Sequence, residues 1–273
     1  MTSFEALLDD LDIPSGGLIY LQSSFSRLKH FGLSGQELLD ALRRRVLPRG
    51  TLIMPSYPFG ASPGKRLWDG YISYINERPV FDARNDPALI GYIPELFRRL
   101  PSVQRSLLYL APTCAEGPLA HELTQGQERV THPYGPGSTF RLAGEAGATM
   151  LGLGVTLDTT SLCLLLDYDL GERHPAPMFT RELQRGAVRD WNGREHETWC
   201  SFLDPSAMRF VKPSRVFDRD KELRARVRRL DIEGIIHFAY PYKAYERSAM
   251  RAAEECLAAG EPLPWFSTPP VSA

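Results

Sequence analysis

Two apolar runs separated by a helical stretch constrain this chain more than any other feature. Residues 17–24, Gly-Leu-Ile-Tyr-Leu-Gln-Ser-Ser, read as a buried strand that ends in small polar side chains. Ser34 then stands at a helix cap, Leu38, Leu42 and Val46 recur at helical spacing, and Pro48-Arg49-Gly50 ends the helix. Thr51-Leu52-Ile53-Met54-Pro55-Ser56-Tyr57 is the next strand. Strand, helix, strand in this order implies a crossover between parallel neighbours. The expected fold class is α/β: a mixed, largely parallel central sheet with flanking helices and a smaller antiparallel portion.

The rest of the chain fits around that unit. Ser3 caps a short helix with Phe4, Leu7, Leu8 and Leu11 on one face. Residues 58–88 are rich in Pro, Gly and Asn and carry Trp68, Tyr71, Tyr74 and Phe81. They read as a long surface excursion of the kind that forms lids. Ile90 to Leu100 suits an amphipathic helix, Ala148 to Gly154 a strand and Thr160 to Leu170 a buried helix. Between Pro175 and Pro213, short alternating stretches predict a small antiparallel subdomain. Lys221 to Leu230 reads as a basic, solvated helix, Gly234 to Tyr240 as a strand, and Tyr245 to Ala259 as a closing helix with Gly260 past its end. Residues 1–273 are expected to form one domain, with 261–273 a flexible tail.

Composition narrows the function classes. A formal net charge of -1 argues against nucleic-acid binding, which needs an excess of Lys and Arg. Cys114, Cys163, Cys200 and Cys256 are scattered without metal-ligand or disulfide-framework spacing, so no metal is expected. Reduced thiols, no signal-peptide pattern and no long apolar run lead to the expectation of a soluble cytoplasmic protein without a membrane partner.

Three small-residue segments carry the chemistry. Ser23-Ser24-Phe25-Ser26 presents backbone N–H groups at the carboxyl edge of the parallel sheet, where a nest of donors suits a pyrophosphate; an ordinary strand-to-loop turn has the same composition. Gly135-Pro136-Gly137-Ser138 reads as a helix start with Ser138 near the cap. Gly152-x-Gly154 followed by Thr159-Thr160-Ser161 reads as another, and helix starts collect anions or oxyanions. The dinucleotide fingerprint is absent.

Together with Phe81 to Pro101, FDARNDPALIGYIPELFRRLP, these segments resemble the aminoglycoside 3-N-acetyltransferase, or antibiotic N-acetyltransferase, family. The resemblance runs from about Ile19 to Tyr168 and more weakly to about Ala259. It implies a mixed α/β fold that binds acetyl-CoA and acetylates an amine of an aminoglycoside. Ser24, Phe25 and Ser26 would lie near the pyrophosphate, with Arg105 and Ser106 shaping the acyl-donor side and Tyr57 and Gly91 lining the cleft. Asp158, Thr160 and Ser161 would face the substrate.

The departures from the family pattern are systematic. Gln22 stands where the family's strand ends in His, and Leu108-Tyr109-Leu110-Ala111-Pro112 replaces a His-Pro-x-His-Ser segment. Leu164 stands for a further His and Asp167 for a Glu. An alkyl ammonium cannot attack a thioester, and a positioned base contributes about 10² to 10⁴ in rate. Candidate replacements are Asp167 on the buried helix, His132 before the Gly135 segment, and His174 at a helix end. His237, inside an apolar strand, reads as a satisfied core residue, while His30, His121 and His196 have no context. Cys163 or Cys114 acting as an acylated nucleophile is a further route, although neither has an evident His partner.

The leading expectation is an acyl-CoA-dependent N-acyltransferase with an altered centre, acting on an amine of an aminoglycoside-like or biosynthetic intermediate. Its co-substrate is acetyl-CoA or another acyl thioester. The alternatives are a non-catalytic CoA or ligand binder, a carrier-protein-dependent acyltransferase and a thioester hydrolase. The expected partners are a small-molecule amine, an acyl carrier protein as alternative donor, and a second copy of the chain in a homodimer.

Overall fold

The computed structural model describes residues 3–61, 67–159, 164–208 and 211–266. Its large sheet has seven strands: β1 (Leu18–Ser23), β2 (Thr51–Pro55), β4 (Gln104–Arg105), β5 (Thr113–Glu116), β6 (Thr149–Leu153), β9 (Arg228–Ile232) and β10 (Ile235–Pro241). They lie in the order β4-β5-β2-β1-β6-β10-β9. β1 pairs in parallel with both β2 and β6, Leu18 opposite Thr51 and Ile19 opposite Thr149. The remaining pairings are antiparallel, so five of the seven strands run in one direction and only β5 and β10 oppose them.

The crossover from β1 to β2 is α2 (Gly35–Val46), and its start is chemically specified. The Ser34 hydroxyl accepts the Glu37 N–H at 3.2 Å while the Glu37 carboxylate accepts the Ser34 N–H at 2.7 Å. This reciprocal box satisfies two amides that the helix cannot. With α1 (Phe4–Asp10), α2 buries Leu38, Leu39, Leu42 and Val46 on one face of the sheet, against Ile19, Leu21, Leu151 and Leu153. The opposite face carries Tyr20, Met150, Phe238 and Tyr240 and packs on Phe140, Tyr242 and Tyr245.

The 58–88 excursion holds more order than its composition predicts. It contains α3 (Leu67–Glu77) and β3 (Val80–Asp82), and Tyr71, Tyr74 and Phe81 are buried. β3 joins β7 (Gln184–Arg189) in parallel, and β7 pairs antiparallel with β8 (Glu195–Cys200). The small sheet therefore draws a strand from outside 175–213. Next comes α4 (Tyr92–Arg98), where burial pushes the Glu95 carboxyl up and the Arg98 guanidinium and Ala88 N–H override it, holding it down at about 2. The segment most specific to the family resemblance is thus occupied in building the frame.

Three further elements flank the sheet: α5 (Ala120–Thr124), α6 (Thr139–Glu145) and α7 (Leu165–Leu170). Arg141 on α6 pairs with Asp169 on α7 at 2.7 Å and with Glu246 on the closing helix Tyr242–Ala259 at 2.5 Å. Residues 221–230 are a correction: a short helix, Lys221–Ala225, gives way to the edge strand β9. The expected loose tail is not found over 263–266, because Leu263, Trp265 and Phe266 are buried. Among the described residues no helix is long and apolar enough to cross a membrane.

Candidate active site

The carboxyl ends of β1, β2 and β6 open onto one cavity of about 410 Å³. Gln22 and Ser23 from β1, Pro55 at the end of β2 and Tyr57 just after it, and Val155 and Asp158 after β6 line it. Ligands of open α/β sheets bind at this edge, because strand ends there diverge and leave backbone and side-chain polar atoms uncovered. Its walls come from the excursion (Phe59, Leu67, Trp68, Tyr71) and from Leu110, Ala111, Pro133, Tyr134, Leu164 and Phe179. Tyr57 stacks on Phe59 at 5.4 Å, and Phe59 meets Tyr71 edge-on at 5.0 Å. The Tyr71 hydroxyl accepts the Leu203 N–H at 2.8 Å, which ties this wall to the small sheet's side.

Polar groups in the cavity are few. Gln22 Oε1 and Ser23 Oγ are sequestered and have no hydrogen-bond partner among the described residues. An amide at Gln22 can orient a substrate N–H or carbonyl but cannot take up a proton. Asp158 sits exposed at the rim, its Oδ1 accepting the Ser214 N–H at 3.1 Å. Of the positions where the resemblance calls for a histidine, Gln22, Ala111 and Leu164 border this space, while Leu108 is buried and does not line it.

None of the three candidate bases lines the cavity. Asp167 is buried, and both of its oxygens accept the Met178 N–H at 2.9 Å. Burial pushes its carboxyl up to about 6, against the Met178 and Phe179 N–H groups. It anchors the segment that carries Phe179 into the wall. His132 lies behind that ring at 4.5 Å, and its Nδ1 accepts the Tyr134 N–H at 3.2 Å. Burial, then the Arg141 charge, lowers its proton affinity to about 4. His174 packs against Trp265 and Phe266, and burial, then Arg181, lowers it to about 4 as well.

The donor-side candidates divide. Ser24, Phe25 and Ser26 turn away from β1, with the two serine hydroxyls 3.2 Å apart and Phe25 against Tyr92 at 5.0 Å. The Ser24 N–H is engaged by Leu153 O at 2.9 Å, so the nest of free amides is smaller than the sequence suggests. Tyr57 lines the cavity, and Gly91 lies between two lining residues, Ile90 and Pro94. Arg105 is buried and donates to the Ser56, Ala83 and Asp86 carbonyls, with its guanidinium 4.7 Å from the Phe81 ring. Ser106 Oγ accepts the Thr113 N–H at 2.9 Å. These two hold the frame behind β2.

Both glycines of Gly152-x-Gly154 have packing causes. A Cβ on Gly152 would sit 2.2 Å from the Phe238 ring, and Gly154 takes φ +66° where the Ser24 turn approaches. Ser138 caps α6 by accepting the Arg141 N–H at 3.2 Å. Burial raises the Cys114 thiol to about 11, which removes it as a nucleophile at neutral pH. Thr160, Ser161 and Cys163 lie outside the described residues. Among the described residues no three His, Cys, Asp or Glu side chains are grouped to hold a metal.

Sequence reasoning missed Trp68 and Phe179 as cavity residues. The aromatic excursion signalled Trp68, but nothing in the sequence ties Phe179 to the end of β1. His237 departs from expectation differently: it is fully buried and neither ring nitrogen has a partner among the described residues.

Known proteins similar to this chain include aminoglycoside N-acetyltransferases. The chain is 27% identical over 193 residues to aminoglycoside N(3)-acetyltransferase IV from Salmonella sp, covering 70% of this chain and 67% of that one. It is 29% identical over 223 residues to aminoglycoside N(3)-acetyltransferase VIII from Streptomyces fradiae, covering 77% and 72%. A solved structure of AAC-IIIb in binary complex with CoASH superposes with a TM-score of 0.69 at 20% identity, over 98% of this chain and 97% of that one. The profile described as aminoglycoside 3-N-acetyltransferase matches residues 21–241, from the end of β1 to the end of β10, and the chain belongs to that family.

Proposed function

We propose that this protein transfers an acyl group of the acetyl type from CoA to an amine, in a centre that works without a histidine base. The observation that carries the reading is the cavity at the ends of β1, β2 and β6, apolar-walled, with partnerless acceptors on Gln22 and Ser23. A related enzyme, AAC-IIIb, is known in complex with CoASH, which supports a CoA thioester as donor. The same reading sets the protein in the cytoplasm, where thiols stay reduced.

The chemistry follows from the lining. An amine nitrogen must be uncharged to attack the thioester carbonyl carbon. Desolvation disfavours an ammonium and lowers its pKa, by up to about 3–5 units for full burial. An apolar pocket therefore delivers the neutral nucleophile that a histidine would otherwise generate, with the first proton leaving to water at the mouth. The C–N bond forms and the C–S bond breaks. The second proton leaves nitrogen, and the CoA thiolate departs to be protonated as the thiol. Gln22 and Ser23 hold the amine N–H groups through their acceptor oxygens, and Asp158 at the rim draws cations inward.

Calorimetric titration with acetyl-CoA, followed by thiol release with and without amines, tests the reading. Binding with amine-dependent thiol release is expected, and Ser24→Trp is expected to abolish donor binding. Binding without transfer to any amine favours the non-catalytic homologue, for which a lining without histidine among the described residues is the supporting observation. Thiol release independent of amine indicates a hydrolase.

A further inference from the structure

We infer that the acceptor is a compact, weakly basic arylamine and not a polycationic amino-sugar. This rests on the acyl-transfer reading above and names its substrate class. Four observations converge on it.

Charge is the first. Among the described residues the cavity has one carboxylate, Asp158, and that one is at the rim with an oxygen already engaged by the Ser214 N–H. The segments outside the described residues read Met-Thr, Ser-Pro-Gly-Lys-Arg, Thr-Ser-Leu-Cys, Arg-Phe and Ser-Thr-Pro-Pro-Val-Ser-Ala, with no acid and no histidine. They contribute no acidic side chain. A sugar carrying several ammonium groups would leave most of them unpaired against apolar walls, and an unpaired buried charge is strongly disfavoured.

The walls are the second observation. Phe59, Trp68, Tyr71, Tyr134 and Phe179 surround the space, and rings of this kind recognise another ring by offset and edge contacts. Hydroxyl-rich sugars need a convergent set of hydrogen-bonding groups instead. The third is size: about 410 Å³ is in the range of pockets for small ligands and accommodates one aromatic ring beside a thioester arm.

Proton inventory is the fourth. The lining contains no histidine and no lysine among the described residues, and burial raises the Tyr71 hydroxyl above its ordinary range. An arylamine shares its nitrogen lone pair with the ring and is uncharged at neutral pH, so it needs no base before attack. A substrate class that arrives as the free amine makes Gln22 and the leucines intelligible at positions where a base is otherwise required.

The test uses the full chain with acetyl-CoA and three acceptors: p-toluidine, 4-methylbenzylamine and sisomicin. Acetamide product and free thiol are followed together. The expected kcat/KM for p-toluidine exceeds that for sisomicin by about 100-fold or more. The p-toluidine rate is expected to stay flat from about pH 6.5 to 9, because its amine does not titrate there, whereas any 4-methylbenzylamine rate climbs with pH. p-Toluidine is also expected to quench the fluorescence of Trp68, the one cavity tryptophan among the described residues, and Trp68→Phe removes that signal while preserving fold. Acetylation of sisomicin with p-toluidine inert overturns the inference and leaves the acyl-transfer reading standing, as does a preference for 4-methylbenzylamine. Failure to acetylate any amine overturns that reading and the inference with it.

Discussion

The two faces of the large sheet are built from different materials. Under α1, α2 and α4 the core is mostly aliphatic: Leu7, Leu39, Leu42, Val46, Ile19 and Leu151, with Phe4 and Phe97 as its fully buried rings. The other face is aromatic, running from Tyr20, Phe140, Phe238 and Tyr240 outward to Phe59, Tyr71, Tyr134 and Phe179. Branched aliphatic chains interdigitate to close packing and make no directional demand. Rigid rings stack on one another and leave gaps at their edges. The rings that line the cavity all belong to the aromatic side. One face holds the fold, and the other holds the site.

Removing one ring from each face gives the largest contrast. Phe97→Ala, in the closed aliphatic core, is expected to cost about 3–5 kcal/mol in a denaturant titration. Phe59→Ala opens onto space that already exists and is expected to cost less than about half of that. Acyl transfer per folded molecule should follow the opposite order, with Phe59→Ala the more damaging. Equal stability losses would mean that the aromatic face is packed as tightly as the aliphatic one.

Acid separates the buried titrating groups next. His237 lies against His30 and Phe31, with ring centroids 5.9 Å away in each case, and burial, then His30, lowers it to about 4. His132 and His174 are lowered to about 4 as well. A histidine that resists protonation only when folded gives stability that is full above about pH 6.5 and is lost as pH falls toward 4. The Tm is expected to fall steeply across that window, and His237→Phe should flatten the fall while changing little at pH 8. Asp167 acts in the other direction. Its carboxyl, pushed up to about 6, is accommodated below about pH 3.8 and becomes costly as pH rises through 6, by up to about 3 kcal/mol. Asp167→Asn keeps an acceptor for the Met178 N–H, so its Tm gain over wild type should appear at pH 8 and vanish at pH 4. A strong loss of turnover in that variant would restore Asp167 as a chemical participant.

The aliphatic face was legible in the sequence, and the aromatic one was not, for a physical reason. Leu38, Leu42 and Val46 repeat with the helix, Ser34 and Glu37 mark its start, and the strands on either side are continuous apolar runs. Each of those signals is local. β3 is three residues long and is a strand only because β7 lies beside it. β9, Arg228-Arg229-Leu230-Asp231-Ile232, reads as a basic helix because its arginines continue the charged run from Lys221, and its apolar alternation is only two residues long, Leu230 and Ile232, which rest on the aliphatic core. Trp265 and Phe266 look like tail until His174 is found beneath them. In the site, the edge position of Gln22 and Ser23 was readable from the end of β1. The hydrogen bonds that engage Asp167, Arg105 and Ser106 were not, because their partners come from distant segments.

The smallest effect expected is at Asp158, and it bears directly on what the open face recognises. Its carboxylate is exposed at the rim, so it attracts a cation through solvent and not across a dry contact, which limits its contribution to about 1 kcal/mol or less. Asp158→Asn preserves an acceptor for the Ser214 N–H, and stability should change by less than about 0.5 kcal/mol. For 4-methylbenzylamine, which arrives as an ammonium, KM should rise by about three- to fivefold at low salt and the difference should shrink as salt screens it. For p-toluidine, which arrives uncharged, KM should not move. A rise of the same size for both amines would make Asp158 a shaping residue of the pocket. A rise of 100-fold for the cation would place its nitrogen in direct, desolvated contact with the carboxylate, and the rim would then belong to the acceptor site itself.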